Sequence, residues 1–105
     1  MARKPRRDRR LERIQLLVLR GQWAVSSHVR DKIEDGEFEL DDVEASLRSG
    51  RISESRKDER GVALDGRKYT IVGRARCGLP LQTVGKIIAG ADGQEYFVIT
   101  AYRWE

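Results

Sequence analysis

The apolar residues of the chain change their spacing at Gly50, and this change limits the fold more than any other feature of the sequence. Before Gly50 they recur every three or four residues, as on one face of an α-helix. After Gly50 they alternate with polar residues, as along a half-buried β-strand. Helices followed by strands predict an α+β domain, with the helices packed on one face of an antiparallel sheet.

Three helices are predicted before Gly50. Ser26 or Ser27 can cap the second, and glycines follow the last residues of all three, as is typical of helix ends. The predicted helices span residues 9–20, 27–36 and 40–50. All three are short, so we expect them to be stable only when packed against the rest of the chain.

The second half of the chain reads as a series of short strands joined by tight turns. Asp65–Gly66 and Asp92–Gly93 are typical of two-residue hairpin turns, and the stretch "RCGLP" supplies a third turn. The predicted strands cover residues 52–57, 60–64, 67–76, 81–89 and 95–104. Their connections are too short for a crossover helix, so the sequence predicts an antiparallel meander with one face left free for function.

Alternation divides the last strand between two faces. One face carries Tyr96, Val98, Thr100, Tyr102 and Trp104, and the other carries Phe97, Ile99, Ala101 and Arg103. The second set is the more apolar, so we expect Phe97, Ile99 and Ala101 to pack against the helices while Thr100, Tyr102 and Trp104 face a ligand. Arg103 then lies opposite Tyr102, unless the strand end frays or bulges.

The length of 105 residues suits one domain with one modest core. No apolar run reaches the roughly 20 residues that span a bilayer, and the basic start does not lead into a secretory signal. The single cysteine, Cys77, cannot form an internal disulfide, which fits a reducing compartment. These features together predict a cytoplasmic protein with no membrane partner.

Charge is distributed unevenly along the chain, whose net charge is +4. Residues 1–20 carry eight Lys or Arg against two carboxylates, so we assign them to a basic N-terminal arm that includes the first helix, and residues 21–105 to the α+β domain. The arm either attracts nucleic acid or is a solvated terminus. Eight acidic residues within residues 31–44 form a solvated face or a docking surface for basic groups. Five basic residues and no acid within residues 66–91 favour a phosphate-bearing partner.

The sequence contains no metal-ligand cluster, phosphate-binding loop or nucleophile triad, so we expect no metal and no cofactor. Metal-free cleavage of RNA needs a base for the 2′-hydroxyl proton, cations for the charged transition state and an acid for the leaving oxygen. The residues that can supply these groups are His28, Lys32, Arg74, Arg76, Lys86, Tyr102 and Arg103. A structural reading stays open for several: His28 as a capping or surface residue, Tyr102 as strand packing, and Arg74 and Arg76 as solvated or paired charges.

Several stretches in this order resemble a small bacterial family that is grouped with the RelE, MqsR and BrnT ribonuclease toxins. They are "SSHVRDKIEDG", "ELDDVEASLRSGRI", "GRKYTIVGRARCGLPLQTVGKII" and "VITAYR". The resemblance covers residues 24–104. It implies a RelE-like toxin fold, in which N-terminal helices pack on a curved antiparallel sheet. It also implies a metal-independent endoribonuclease, an mRNA interferase of a type II toxin–antitoxin system that forms a 2′,3′-cyclic phosphate.

The resemblance also implies partners and site residues. The partners are RNA, in many relatives ribosome-bound messenger RNA, and a cognate antitoxin that is often a zinc-finger protein. The positions carried over are His28, Arg74, Tyr102 and Arg103, and with Lys32 they form the predicted catalytic set. The predicted RNA-binding residues are Arg76, Lys86 and Trp104.

Two departures from the family pattern favour a different reading. Relatives tend to carry an arginine where this chain has Lys32, and a histidine where it has Gln82, which cannot act as an acid or base near neutral pH. The alternative is a non-catalytic RNA- or protein-binding module on the same fold. A third reading, a structural or regulatory protein whose acidic helices bind a basic partner, depends only on the charge distribution.

Overall fold

The computed structural model describes residues 8–104, and the first seven residues of the predicted arm lie outside this range. The fold is α+β, as predicted, with three helices and a five-stranded mixed sheet in the order β1-β5-β4-β3-β2. The helices are α1 (Arg9–Leu19), α2 (Ser27–Glu34) and α3 (Leu40–Ser49). The strands are β1 (Trp23–Val25), β2 (Arg51–Lys57), β3 (Arg67–Arg74), β4 (Pro80–Gly90) and β5 (Gly93–Arg103).

Strands β2 to β5 form the predicted antiparallel meander, but two parts of the predicted sheet were wrong. Residues 60–64 form a loop, because the Asp58 carboxylate accepts hydrogen bonds from the backbone N–H groups of Arg60, Val62 and Ala63 and folds the chain around itself. The edge strand β1, which pairs in parallel with β5, was missed. Three residues are too few to show a period, so only the pairing with β5 defines this strand.

The core lies between one face of the sheet and the helices. Ile14, Leu17 and Val18 of α1 are buried in the same cluster as Val43 and Leu47 of α3. Helix α1 therefore contributes to the same core as α3. Within the described range, no helix has the length and apolar character needed to cross a membrane.

The predicted faces of the last strand were wrong in its first half. Tyr96 and Val98 are fully buried, while Phe97 and Ile99 are only partly buried. The register with β4 shifts at this point: Gly85 lies opposite Val98, but Val84 lies opposite Thr100. Ile99 is thus an extra residue, a β-bulge that reverses the alternation. Beyond the bulge, Ala101 enters the core and Thr100 and Tyr102 turn to the other face.

Helix α3 lies directly against the backbone of β3. A Cβ atom added to Gly73 would be 1.8 Å from the carbonyl oxygen of Ser46, and one added to Gly50 would be 2.5 Å from the same atom. Only glycine allows this approach. Next to it, the Ser49 hydroxyl lies 3.0 Å from the backbone nitrogen of Arg74 and 3.1 Å from its carbonyl oxygen, which fixes the end of β3.

Candidate functional site

The sheet face opposite the hydrophobic core, here called the open face, carries a row of side chains across four strands. Arg51 pairs with Val72, Val72 with Gln82, and Gln82 with Tyr102. Paired residues point to the same side of a sheet, and neighbouring strands lie about 4.8 Å apart, so this row is about 15 Å long. It places Tyr102 at one end and a guanidinium group at the other.

Helix α2 lies along the edge of β5 where β1 ends. The backbone nitrogen of Ser26 donates to the carbonyl oxygen of Val98 at 2.9 Å, and its hydroxyl donates to that of Ile99 at 2.6 Å. Ser26 also caps the helix by accepting from the N–H of Val29. One helical turn after His28, the Lys32 ammonium group donates to the carbonyl oxygen of Ala101 at 3.0 Å. Edge carbonyls that no strand covers are therefore satisfied by α2.

These contacts bring three predicted catalytic residues to one place. The Lys32 nitrogen lies 5.8 Å from the centroid of the Tyr102 ring. His28 is exposed and, four residues before Lys32, lies on the same side of α2 about one turn away. The Tyr102 side chain is also exposed. A base, a cation and a hydroxyl thus lie at the edge of the open face, where a ligand can reach them.

Gln82 contributes to this cluster through a hydrogen bond from its amide nitrogen to the Tyr102 hydroxyl. The tyrosine oxygen accepts this bond and keeps its own proton for a further acceptor. Gln82 therefore orients the Tyr102 hydroxyl without acting as an acid or base itself.

A cleft of about 330 Å³ lies at the end of the sheet where β2 begins and β3 ends. Trp104 is exposed there, and its backbone nitrogen donates to the carbonyl oxygen of Pro80 at 3.0 Å. Arg74 donates to the Gly78 carbonyl oxygen at 2.9 Å, which folds its side chain towards the β3–β4 turn. The cleft is lined by Ser49, Arg51, Val72, Gly73, Arg74, Pro80 and Trp104.

Arg51 belongs to this cleft and to the cross-strand row, and sequence reasoning missed it. Its only sequence signal is its position as the first residue after Gly50, where the alternating pattern begins. Nothing in that pattern indicates that it faces Val72 and lies beside Arg74, because both relations depend on the pairing of β2 with β3.

Three of the predicted site residues lie apart from Tyr102. Arg103 points to the opposite face, where its guanidinium donates to the Glu37 carbonyl oxygen at 2.8 and 3.1 Å. Lys86 is buried, with its ammonium group 3.5 Å from the Asp58 carboxylate, so an RNA phosphate cannot reach it without displacing the loop after β2. Arg76 is exposed in the turn after Arg74, outside the lining of the cleft.

Two titratable groups with shifted pKa values also lie away from the Tyr102 cluster. The pKa of Asp58 is lowered, chiefly by the hydrogen bond from the Ala63 N–H, with Lys86 adding to the effect. Burial and a hydrogen bond to Asp65 raise the pKa of Tyr69 to about 12. Both groups are hydrogen-bonded within or beside the β2–β3 connection, so the shifts reflect their structural roles.

The remaining surface offers neither a second acid–base cluster nor a metal site among the described residues. A cavity of about 460 Å³ beside α2 is lined mainly by apolar side chains, with Arg30 and Glu34 as its ionisable groups. Across residues 8–104, no three His, Cys, Asp or Glu side chains lie close enough together to hold a metal ion.

The fold and this face define an α+β domain that carries cations, hydroxyls and an exposed aromatic ring on the open side of a mixed sheet. The chain belongs to the family described as "Domain of unknown function (DUF4258)", which matches residues 25–103. The matched range starts in β1, ends with β5 and includes the whole row from Arg51 to Tyr102 together with α2. Neither a curated protein nor a solved structure matches the chain significantly.

Proposed function

We propose that this protein is a toxin-like, metal-independent endoribonuclease, an mRNA interferase of a type II toxin–antitoxin system. The observation that carries the proposal is the meeting of α2 with the end of β5. Lys32 contacts both Ala101 and the Tyr102 ring there, one helical turn from His28. This arrangement supplies a base, a cation and a proton donor on one accessible surface, which is the set that metal-free RNA cleavage requires.

In the proposed reaction, the His28 imidazole removes the proton from a ribose 2′-hydroxyl, and the 2′-oxygen attacks the adjacent phosphorus. The Lys32 ammonium group stabilises the negative charge on the non-bridging oxygens, since cations placed where charge develops lower the barrier. The Tyr102 hydroxyl gives its proton to the departing 5′-oxygen. The products are a 2′,3′-cyclic phosphate and a 5′-hydroxyl end, and the proton on His28 returns to Tyr102 through water.

The cleft beside this cluster suits the nucleotides that flank the cleaved bond. The exposed indole of Trp104 offers a face on which a base can stack, and Arg51 and Arg74 offer bidentate donors for phosphates. Arg76 adds a further charge at the nearby turn. The family resemblance supplies the proposed partners: RNA, in particular ribosome-bound messenger RNA, and a cognate antitoxin of the zinc-finger type that neutralises the enzyme.

The test is to map new RNA 5′ ends after brief expression in a bacterial host and with purified protein. Wild type is compared with the double variant His28→Ala, Tyr102→Phe, and Arg30→Ala on the far side of α2 serves as the control. We expect new 5′-hydroxyl ends with wild type and the control, and at least a hundredfold fewer with the double variant, since acid–base groups typically contribute about 10²–10⁴-fold. Equal numbers of ends in all three proteins exclude this site.

The non-catalytic binding module is favoured by one specific observation. Lys32 already donates to Ala101, and the Tyr102 hydroxyl is bonded to Gln82, a residue that cannot transfer protons near neutral pH. On that reading, the open face binds RNA with strong salt dependence and leaves it intact. Retention of RNA by wild type without new 5′ ends would favour this module over the enzyme.

A further inference from the structure

A second basic cleft lies at the start of α1, away from the Tyr102 cluster. It has a volume of about 410 Å³ and is lined by Arg9, Arg10, Arg13, Asp65, Arg67, Tyr69 and Ile87. Four of these seven residues are arginines, three from α1 and one from β3, and Arg67 is more than fifty residues from the other three in the chain. Among these lining residues, Asp65 carries the one carboxylate.

The three arginines of α1 are placed where they disfavour the helix. Arg9 and Arg13 are four residues apart, and like charges at this spacing destabilise a helix. Arg9 and Arg10 also lie in the first turn, where the partial positive charge of the helix end disfavours cations. A bound anion would relieve both effects, because it would lie between the guanidinium groups.

The one carboxylate of the cleft is already engaged. Asp65 accepts hydrogen bonds from the Tyr69 hydroxyl and from the backbone nitrogen of Arg67. Among the ion pairs described for residues 8–104, the one that involves these arginines joins Arg10 to Asp8, whose carboxylate lies 4.0 Å away. The four arginines outnumber the carboxylates of Asp65 and Asp8, so the cleft is net positive.

Two of the arginines are held in place for a ligand. The Arg67 guanidinium donates to the hydroxyl and the carbonyl oxygen of Ser55, at 3.0 and 3.4 Å. Arg10 lies over the Tyr69 ring, 5.8 Å from its centroid. Arginines that are fixed by neighbours lose less freedom on binding, and their forked donors match the oxygens of a phosphate group.

We propose that this cleft is a second RNA-binding site that holds backbone phosphates away from the proposed cleavage site. The inference rests on the proposed RNA ligand but does not need its cleavage. Gln82 of the open face and Ile87 of the cleft are five residues apart on β4, roughly 17 Å along the strand, and they point to opposite faces. The cleft therefore contacts parts of a long or folded RNA that a short oligonucleotide at Tyr102 does not reach.

The experiment measures binding of an RNA hairpin and of a trinucleotide, in a His28→Ala background so that neither is cut. The variant Arg9→Gln, Arg13→Gln is compared with Arg20→Gln, Arg30→Gln, which removes the same charge from exposed positions outside both basic clefts. The single variant Arg67→Gln removes a guanidinium group of the same cleft that belongs to β3. It shows whether any loss of binding comes from the cleft or only from a change in α1.

We expect the hairpin to bind about tenfold more weakly to Arg9→Gln, Arg13→Gln. The fall of log K with log salt should be less steep by about 1.8, as for two lost contacts to phosphates of a duplex stem. Arg67→Gln weakens the hairpin in the same direction, while the trinucleotide and the control pair are unaffected. Equal hairpin binding by the two double variants overturns the inference, and so does a wild type that binds no hairpin. Mapping of RNA 5′ ends tests the proposed cleavage separately.

Discussion

The ammonium group of Lys32 lies 5.8 Å from the centroid of the Tyr102 ring while it donates a hydrogen bond to the neighbouring Ala101 carbonyl oxygen. The Lys32 side chain thus satisfies a carbonyl group at the exposed edge of β5 and places a positive charge beside the Tyr102 phenol. The same contact fixes the position of α2 and therefore that of His28. Structural support and site geometry depend here on one residue.

Replacing Lys32 with Met tests the structural part of this contact. The change keeps most of the apolar stem but removes a charged hydrogen bond and a cation–π contact, so we expect the free energy of unfolding to fall by about 1–2 kcal/mol. Urea denaturation measures it, with Arg30→Met on the exposed side of α2 as the control. Equal losses in both variants would show that Lys32 is not an anchor.

Gly73→Ala tests the close packing of α3 on β3. The added methyl group would lie 1.8 Å from the Ser46 carbonyl oxygen, so helix and strand must separate, and we expect a loss of at least about 3 kcal/mol. Gly21→Ala is the comparison, because its Cβ meets no atom within 4 Å and only its positive φ of 74° opposes the change. Thermal unfolding of both variants measures the difference, and similar midpoints would contradict the predicted contact.

Two buried tyrosines are expected to respond in opposite ways to loss of their hydroxyl groups. The Tyr96 hydroxyl is buried without a hydrogen-bond partner among the described residues, whereas that of Tyr69 is bonded to Asp65. Tyr96→Phe should leave the free energy of unfolding unchanged or raise it by up to about 1 kcal/mol, and Tyr69→Phe should lower it by about 1 kcal/mol. Chemical denaturation compares them, and a larger loss for Tyr96→Phe would refute the assignment.

The buried pair of Asp58 and Lys86 predicts a loss of stability in acid. Hydrogen bonding lowers the pKa of Asp58 in the folded protein below its ordinary value of 3.8. Between the two pKa values the unfolded chain therefore binds more protons than the folded protein. The stabilisation is complete above about pH 5 and is lost as the pH falls through the lowered pKa. In Asp58→Asn, the free energy of unfolding should therefore fall less steeply as the pH is lowered below about 5. Asp92→Asn, in the exposed turn before β5, should keep the pH dependence of wild type.

Arg103 is expected to position the segment between α2 and α3 and to take no part in chemistry. Its two hydrogen bonds to the Glu37 carbonyl oxygen are lost in Arg103→Met, so amides of residues 35–39 should exchange with deuterium faster than in wild type. Any RNA cleavage should keep its pH dependence in this variant. A changed pH profile with unchanged exchange would instead support the catalytic role that the family resemblance implies.

The sequence predicted the local elements well because their signals are local. The bounds of α1, α2 and α3 agree with the structure to within one or two residues, since capping side chains and terminal glycines act within one helical turn. The strands from β2 to β5 followed from alternation, and the predicted turn at Asp92–Gly93 joins β4 to β5. Asp65–Gly66 does not form the predicted two-residue hairpin turn, because it ends the longer β2–β3 loop. The prediction of a strand at residues 60–64 was wrong because the backbone N–H groups of this segment donate to the Asp58 carboxylate instead of to a neighbouring strand.

The sequence by itself determined the α+β class, the short helices, the hairpins and the presence of His28, Lys32 and Tyr102 on elements that can meet. Only the tertiary structure decided the parallel pairing of β1, the bulge at Ile99, the burial of Lys86 and the grouping of arginines into two clefts. The physical reason is that periodicity and capping involve neighbours in the chain, whereas register and burial depend on residues that approach one another only when distant strands and helices pack.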